Sequence, residues 1–140
     1  MSIQFLNTTG LNATVEEEIV RLLRERGPLP VYQIAKELGA SYGVTQYYLE
    51  HLIKRRKVYT VKVGARRYVA LIGQDWLKAV TVEDIVEELS AALRRAKVKP
   101  KTPLREALEV LERTSPHAAE ALMHMAAAIH RETQHQTPHR

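Results

Sequence analysis

One stretch limits what this chain can become more than any other: residues 40–72, ASYGVTQYYLEHLIKRRKVYTVKVGARRYVALI. Apolar residues recur at helical spacing as far as Ile53, and four cations (Lys54, Arg55, Arg56, Lys57) then follow with no acid among them. Next comes Val58-Tyr59-Thr60-Val61-Lys62-Val63, rich in β-branched and aromatic residues, and after Gly64 the partner run Arg67-Tyr68-Val69-Ala70-Leu71-Ile72. This is the pattern of a helix delivered directly into a β-hairpin, with glycine at the turn. Lys62, Arg66 and Arg67 are expected at or near the hairpin tip.

The elements before this stretch are equally well marked. Thr14 and Glu17 form a capping box, and Glu16 to Glu18 suit the positive end of the helix dipole. Val15, Ile19, Leu22 and Leu23 share one face, and Gly27-Pro28 stops that helix. Pro30 can start a short second helix with Val31, Ile34, Ala35 and Leu38 inward and Gly39 at its end. After the tight turn Gly39-Ala40-Ser41, Ser41 can cap a third helix.

Sorting that third helix by steps of about 100° puts Thr45, Tyr48, Leu49 and Leu52 on a core arc. Gly43, Gln46, Tyr47, Glu50, Lys54 and Lys57 fall on the opposite arc. An amide, a phenol, a carboxylate and two ammonium groups on one exposed arc form a plausible base-reading and phosphate-gripping surface.

The charge distribution agrees. The chain carries a net +5, yet residues 1–53 sum to −2, 79–101 to +1 and 102–140 to −1, whereas residues 54–78 alone carry +7. A cationic excess confined to one element is the footprint of a polyanionic partner; the plain alternative is a solvated charged hairpin. Five of the six tyrosines lie between Tyr42 and Tyr68. They could stack single-stranded bases, but strand and core positions account for them more simply.

The order helix, helix, turn, helix, hairpin over 13–72 resembles the winged helix-turn-helix family of DNA-binding domains. The resemblance rests on Ile34-Ala35-Leu38, on the turn Gly39-Ala40-Ser41, and on Tyr48-Leu49-x-x-Leu52-Ile53 running into the basic cluster and Val58. It covers a little under half the chain, and the composition is similar to that of small archaeal transcription regulators. The family commonly has a glycine just before the first wing strand. Lys57 stands there, which places the steric cost of a left-handed residue on a lysine. The resemblance implies a third helix in the major groove of double-stranded DNA and a wing on the backbone or adjacent minor groove. On that basis Gln46, Tyr47 and Glu50 face base edges. Ser41, Tyr42, Lys54, Arg55, Lys62, Arg66 and Arg67 hold the phosphates.

The fold class expected is therefore mainly α with a small β-hairpin. Residues 1–75 form a winged helix-turn-helix domain, and 76–140 a helical extension with a tail frayed from about Thr133. Thr81 can cap a helix with Val82, Ile85, Val86, Leu89 and Leu93 in register, and Thr102-Pro103 and Ser115-Pro116 announce two more helices. These helices offer apolar faces for a homodimer or for completing the monomer core, and DNA readers of this kind commonly pair two half-sites.

No cofactor is called for. Five of the six histidines (His117, His124, His130, His135 and His139) lie in the last 24 residues. The first four follow at spacings of 7, 6 and 5, not the i, i+4 spacing that brings two imidazoles to one metal, and a solvated helix and tail accounts for the group more simply than metal sensing. HExxH, GxSxG, Walker and GxGxxG motifs are all missing, so a binding protein is expected and not an enzyme. With no cysteine, no apolar run near the ~18 residues of a membrane span and no signal-like start in MSIQFLNTTGLNA, cytoplasmic residence is the default. The competing readings are a protein-interaction or assembly module, and a non-specific architectural nucleic-acid protein.

Overall fold

The computed structural model describes residues 14–136. The opening segment and Thr137–Arg140, with His139 and the second half of the tail expected to fray, lie outside the described residues. The chain divides into two compact units, 1–85 and 86–140.

In the first unit, α1 (Val15–Arg26) begins with the expected reciprocal box: Glu17 N–H donates to Thr14 Oγ1 at 3.1 Å, and Thr14 N–H to Glu17 Oε1 at 2.9 Å. A two-residue strand β1 (Leu29–Pro30) leads into α2 (Val31–Leu38). Gly39 ends α2 at φ 67, and the bonds Gly39 N–H to Lys36 O and Ala40 N–H to Ala35 O close a Schellman cap. α3 (Tyr42–Lys54) follows at once, its N-cap Ser41 accepting the Val44 N–H at 3.1 Å. Strands β2 (Val58–Val63) and β3 (Arg66–Leu71) pair antiparallel across the two-residue loop Gly64-Ala65, with Gly64 at φ 60. Glycine reaches that angle without the Cβ clash other residues meet.

β1 is not announced by the sequence. Two residues carry no readable period, and proline lacks the N–H of a ladder donor. Pro30 nevertheless pairs with Tyr68 and Leu29 with Val69, giving a three-stranded sheet in the order β1-β3-β2. Proline fits there because β1 is an edge strand.

The core arcs read from the sequence all turn inward. Ile19, Leu23, Ile34, Leu49 and Val69 are fully enclosed, and Val15, Leu22, Val31, Leu38, Leu52 and Val58 complete the same cluster. Each large aliphatic side chain so enclosed contributes about 1.5–3 kcal/mol relative to exposure. Thr45 joins them because its hydroxyl donates to Ser41 O at 2.9 Å, so it buries no orphaned polar group. Gln74 ties the sheet to α1. Its Oε1 accepts from Leu71 N–H and its Nε2 donates to Leu23 O, while its own carbonyl accepts the Tyr59 hydroxyl.

A single 3-10 turn (Trp76–Lys78) precedes α4 (Val82–Arg95), where Thr81 and Asp84 exchange bonds at 3.0 and 3.2 Å in a second capping box. The apolar stripe of α4, suited by its spacing to a homodimer or to the monomer core, is open at its start and buried toward its end. Val82 is 81% exposed, and Ile85 and Val86 are also exposed, whereas Ala92 is buried.

In the second unit, α5 (Leu104–Thr114) and α6 (Pro116–Gln136) pack with the end of α4 around Ala92, Leu111, Ala118 and Ala119. Pro103 itself occupies the N-cap of α5, and Thr102 Oγ1 accepts the Lys99 N–H in the preceding turn, so Thr102 is not the cap. Helical backbone continues through Gln136, past Thr133, whose hydroxyl donates to Ile129 O.

Candidate nucleic-acid interface

The exposed arc of α3 and the hairpin face beside it form a continuous polar surface of the first unit. Tyr42, Tyr47, Glu50, Lys54, Arg56 and Lys57 are all exposed, and Gln46 is half-buried. The ring of Tyr47 lies edge-on to Tyr48 at 5.1 Å and against His51 at 4.7 Å, which holds the phenol upright on the helix. The tyrosines thus form a local support with His51 and not a flat row of stacking faces. Nothing in the sequence singled out His51; its signal is only the i, i+4 spacing from Tyr47.

Strand alternation separates two arginines that are neighbours in sequence. On one face of the hairpin, Lys62 pairs with Arg67 and Thr60 with Val69. That face is apolar at its base, where Val58 and Val69 join the core, and cationic at its tip. Arg67 turns toward α3: its Nη1 donates to Gln46 Oε1 at 3.1 Å, and its Nη2 lies 3.4 Å from Thr60 Oγ1 and 3.7 Å from the Glu50 carboxylate. Arg66 points to the opposite face, as the two-residue period of a strand requires. Its guanidinium sits 5.7 Å from the centre of the Tyr32 ring and 3.9 Å from Asp84. The hydrogen bond that the Arg66 guanidinium donates to the Tyr68 oxygen is the main influence raising the Arg66 pKa, so its charge is permanent. The two arginines expected together at the tip therefore serve different neighbours.

Behind Arg66, Asp84 is buried and accepts the Tyr68 hydroxyl at 2.6 Å and the Thr81 N–H at 3.0 Å. These bonds, that from Thr81 foremost, hold the Asp84 carboxyl below its usual range. Burial, reinforced by Asp84, raises the Tyr68 phenol.

Arg55 is also drawn away from the exposed arc. It pairs with Glu16 in the first turn of α1, and His51 lies 3.6 Å from the same carboxylate. Lys62 reaches back to Gly64 O at 2.8 Å yet stays exposed. Ser41 spends its hydroxyl acceptor on the helix cap and sits with Tyr42 at the N-terminus of α3, where backbone N–H groups and the helix dipole favour an anion.

The exit from α3 corrects one expectation. The left-handed residue is Arg56, at φ 59, and not Lys57. Arg56 N–H donates to Ile53 O and Lys57 N–H to Leu52 O, both at 2.9 Å, so Arg56 fills the Schellman position that glycine usually takes. The helix ends one residue earlier than a glycine-for-Lys57 alignment assumes. Among the described residues nothing pairs with the Arg56 side chain.

Three helices close on a core, with a two-stranded hairpin behind the third and a short strand zipping the first loop to it. This is a winged helix-turn-helix fold. No family model and no curated protein matches the sequence. Among solved structures the chain is similar to a hypothetical protein of Pyrobaculum spherical virus, with 20% identity and a TM-score of 0.44 over 86% of this chain and 71% of that one. It is also similar to the transcriptional regulator PA4135, at 20% identity and a TM-score of 0.39 over 96% and 85% of the two chains. A third likeness is to the adhesin competence repressor of Streptococcus pyogenes, at 17% and 0.39 over 92% and 88%. Likenesses of this size leave the fold to be judged from the chain's own elements, and its chemistry from its own surface.

Among the described residues no helix is long and apolar enough to cross a membrane, and no group of three or more histidines and carboxylates is placed to hold a metal ion.

Proposed function

We propose that this chain is a transcription regulator that binds duplex DNA as a homodimer, with α3 in a major groove and the hairpin along the adjacent backbone. One observation carries the reading. The segment that holds the chain's positive excess flanks a helical arc of half-buried Gln46 and exposed Tyr47 and Glu50, which carries hydrogen-bonding groups suited to base edges. In this arrangement Gln46, Tyr47 and Glu50 face bases, and Ser41, Tyr42, Lys54, Arg56, Lys57 and Lys62 face phosphates. Arg55 and Arg66 are committed to Glu16 and Asp84 and act from behind that line.

A single domain of this size reads one short half-site, and a symmetric dimer doubles it at a spacing of roughly 34–36 Å. Val82, Ile85 and Val86 on α4, with Met123, Met125 and Ile129 on α6, supply exposed apolar surface for a second copy. Tight helix approach is eased by the small run Ala126-Ala127-Ala128.

The test is fluorescence anisotropy on labelled duplex across a salt series. Four cations with no acidic partner among the described residues (Lys54, Arg56, Lys57 and Lys62) give a log K against log salt slope of about −4 per protomer. Replacing Lys54, Arg56 and Lys62 together by alanine should weaken binding at least about tenfold and flatten the slope by nearly three. No binding at low salt would refute the DNA reading and leave an assembly module.

A further inference from the structure

Gln46 is the residue on the α3 arc whose chemistry the fold has already divided. A free carboxamide both donates and accepts, and so suits adenine, whose major-groove edge offers an N7 acceptor and an N6 donor. Here the amide meets Arg67. Arginine has five N–H donors and no acceptor, so the Gln46 atom 3.1 Å from Nη1 must be the carbonyl oxygen. The guanidinium is itself seated between Thr60 Oγ1 on β2 and the Glu50 carboxylate one turn further along α3. It is only 28% exposed, so it is held as part of the wall between helix and hairpin. The Gln46 Nε2 has no partner among the described residues.

We propose that Arg67 makes Gln46 a donor-only reader, so that the base it faces in the major groove is guanine or thymine and not adenine. This rests on the DNA reading above and assigns its chemistry at one position. Guanine presents O6 and N7 and thymine O4, all acceptors that match the two free N–H bonds of Nε2. Adenine would require Oε1 to accept from N6 through its second lone pair, while the bond from Arg67 holds that oxygen toward the hairpin and leaves Nε2 for the base. Cytosine presents only a donor there. Arg67 acts in this scheme as a positioning residue, and Gln46 touches the base.

The experiment is selection from a randomised duplex library with sequencing, run on the full chain and on four variants. Gln46→Ala identifies the position at which wild-type preference disappears. Wild type should favour guanine or thymine there by roughly tenfold, the discrimination of one good base contact. Arg67→Met, which keeps the aliphatic stem but has no donor, should move that position toward adenine, and Arg67→Ala should do the same. Gln46→Glu leaves Arg67 its acceptor and presents a second acceptor to the groove, so it should move the position to cytosine or adenine without relying on any change at Arg67. Adenine selected by wild type, an unchanged preference in both Arg67→Met and Gln46→Glu, or no position lost in Gln46→Ala overturns the inference while DNA binding stands. Failure of wild type to bind any duplex overturns both together.

Discussion

Replacing Arg56 by glycine should make the protein more stable and a poorer DNA binder. Arg56 holds φ 59 at the exit from α3, where an L-residue brings its Cβ against the following carbonyl. That conformation costs about 1–2 kcal/mol for a non-glycine residue. Glycine relieves the clash but gives back about 0.4–1 kcal/mol through its freer unfolded chain. The balance is a gain of about 0.5–1 kcal/mol, a rise in Tm of about 2–4 °C for a chain of this length. The Schellman bonds to Ile53 and Leu52 come from backbone N–H groups and survive the change. The guanidinium does not, and its loss should lower the magnitude of the salt slope by about 0.9. Lys97 provides the control. It holds φ 58 at the end of α4 with the same pair of bonds, to Arg94 O and Leu93 O, in the other compact unit. Lys97→Gly should stabilise to a similar extent and leave the DNA slope unchanged. Urea melts paired with anisotropy titrations decide the matter. A less stable Arg56→Gly protein would show that the arginine side chain contributes more to folding than its strain removes. Stabilised variants with identical DNA binding would show that Arg56 faces no phosphate.

Further outcomes can be checked with standard measurements. Asp84→Asn should cost about 1–3 kcal/mol at neutral pH, the penalty for disrupting a buried, satisfied acceptor. The folded Asp84 carboxyl titrates below its ordinary value of 3.8, so its contribution is complete above that pH and disappears as pH falls through the lower folded value. Melts of wild type and variant should therefore converge as the pH falls below 3.8, and a gap independent of pH would show that charge is not the source. Ile85→Glu with Val86→Glu should give a monomer by light scattering with its circular-dichroism spectrum intact, because both residues are exposed within the chain; a persisting dimer moves the interface elsewhere. Thr14→Ala removes one half of the α1 capping box and should cost about 1 kcal/mol in a urea melt; an unchanged midpoint would mean that the first turn already frays. Leu49→Ala, at the centre of the core, should cost about 2–5 kcal/mol; a loss below 1 kcal/mol would contradict the packing described here.

Where the sequence carried a period, it predicted the fold closely. Val15, Ile19, Leu22 and Leu23, and Thr45, Leu49 and Leu52, turn inward as their spacing requires, since a helix allows only one face to meet the core. β1 escaped because two residues have no period, and its pairing is imposed by β3 from about forty residues away. Arg66 and Arg67 could have been separated from sequence alone by the alternation of a strand. Which of them faces α3 depends on register, and that was fixed by the two-residue turn. The candidate surface was legible as a charge block, but its internal pairing was not. That Glu16 would engage Arg55, or Asp84 engage Arg66, follows from tertiary placement that no local pattern encodes. The apolar stripe at the start of α4 shows the reverse limit: helical register reveals an apolar face without saying whether this chain or another covers it.

The strand order β1-β3-β2 leaves one full side of β2 without a partner among the described residues. Its six residues, VYTVKV, contain neither proline nor glycine and are rich in the types that form cross-β stacks. Lys62 is the single charge on that open edge, and a lysine there discourages another chain from adding itself as the next strand. If the proposed DNA contact holds, the same ammonium group answers two demands, gripping a polyanion and keeping molecules apart. Charge-removing substitutions at position 62 will therefore confound binding with self-association unless solubility is followed alongside. Arginine at that position meets both demands, and glutamate only the second.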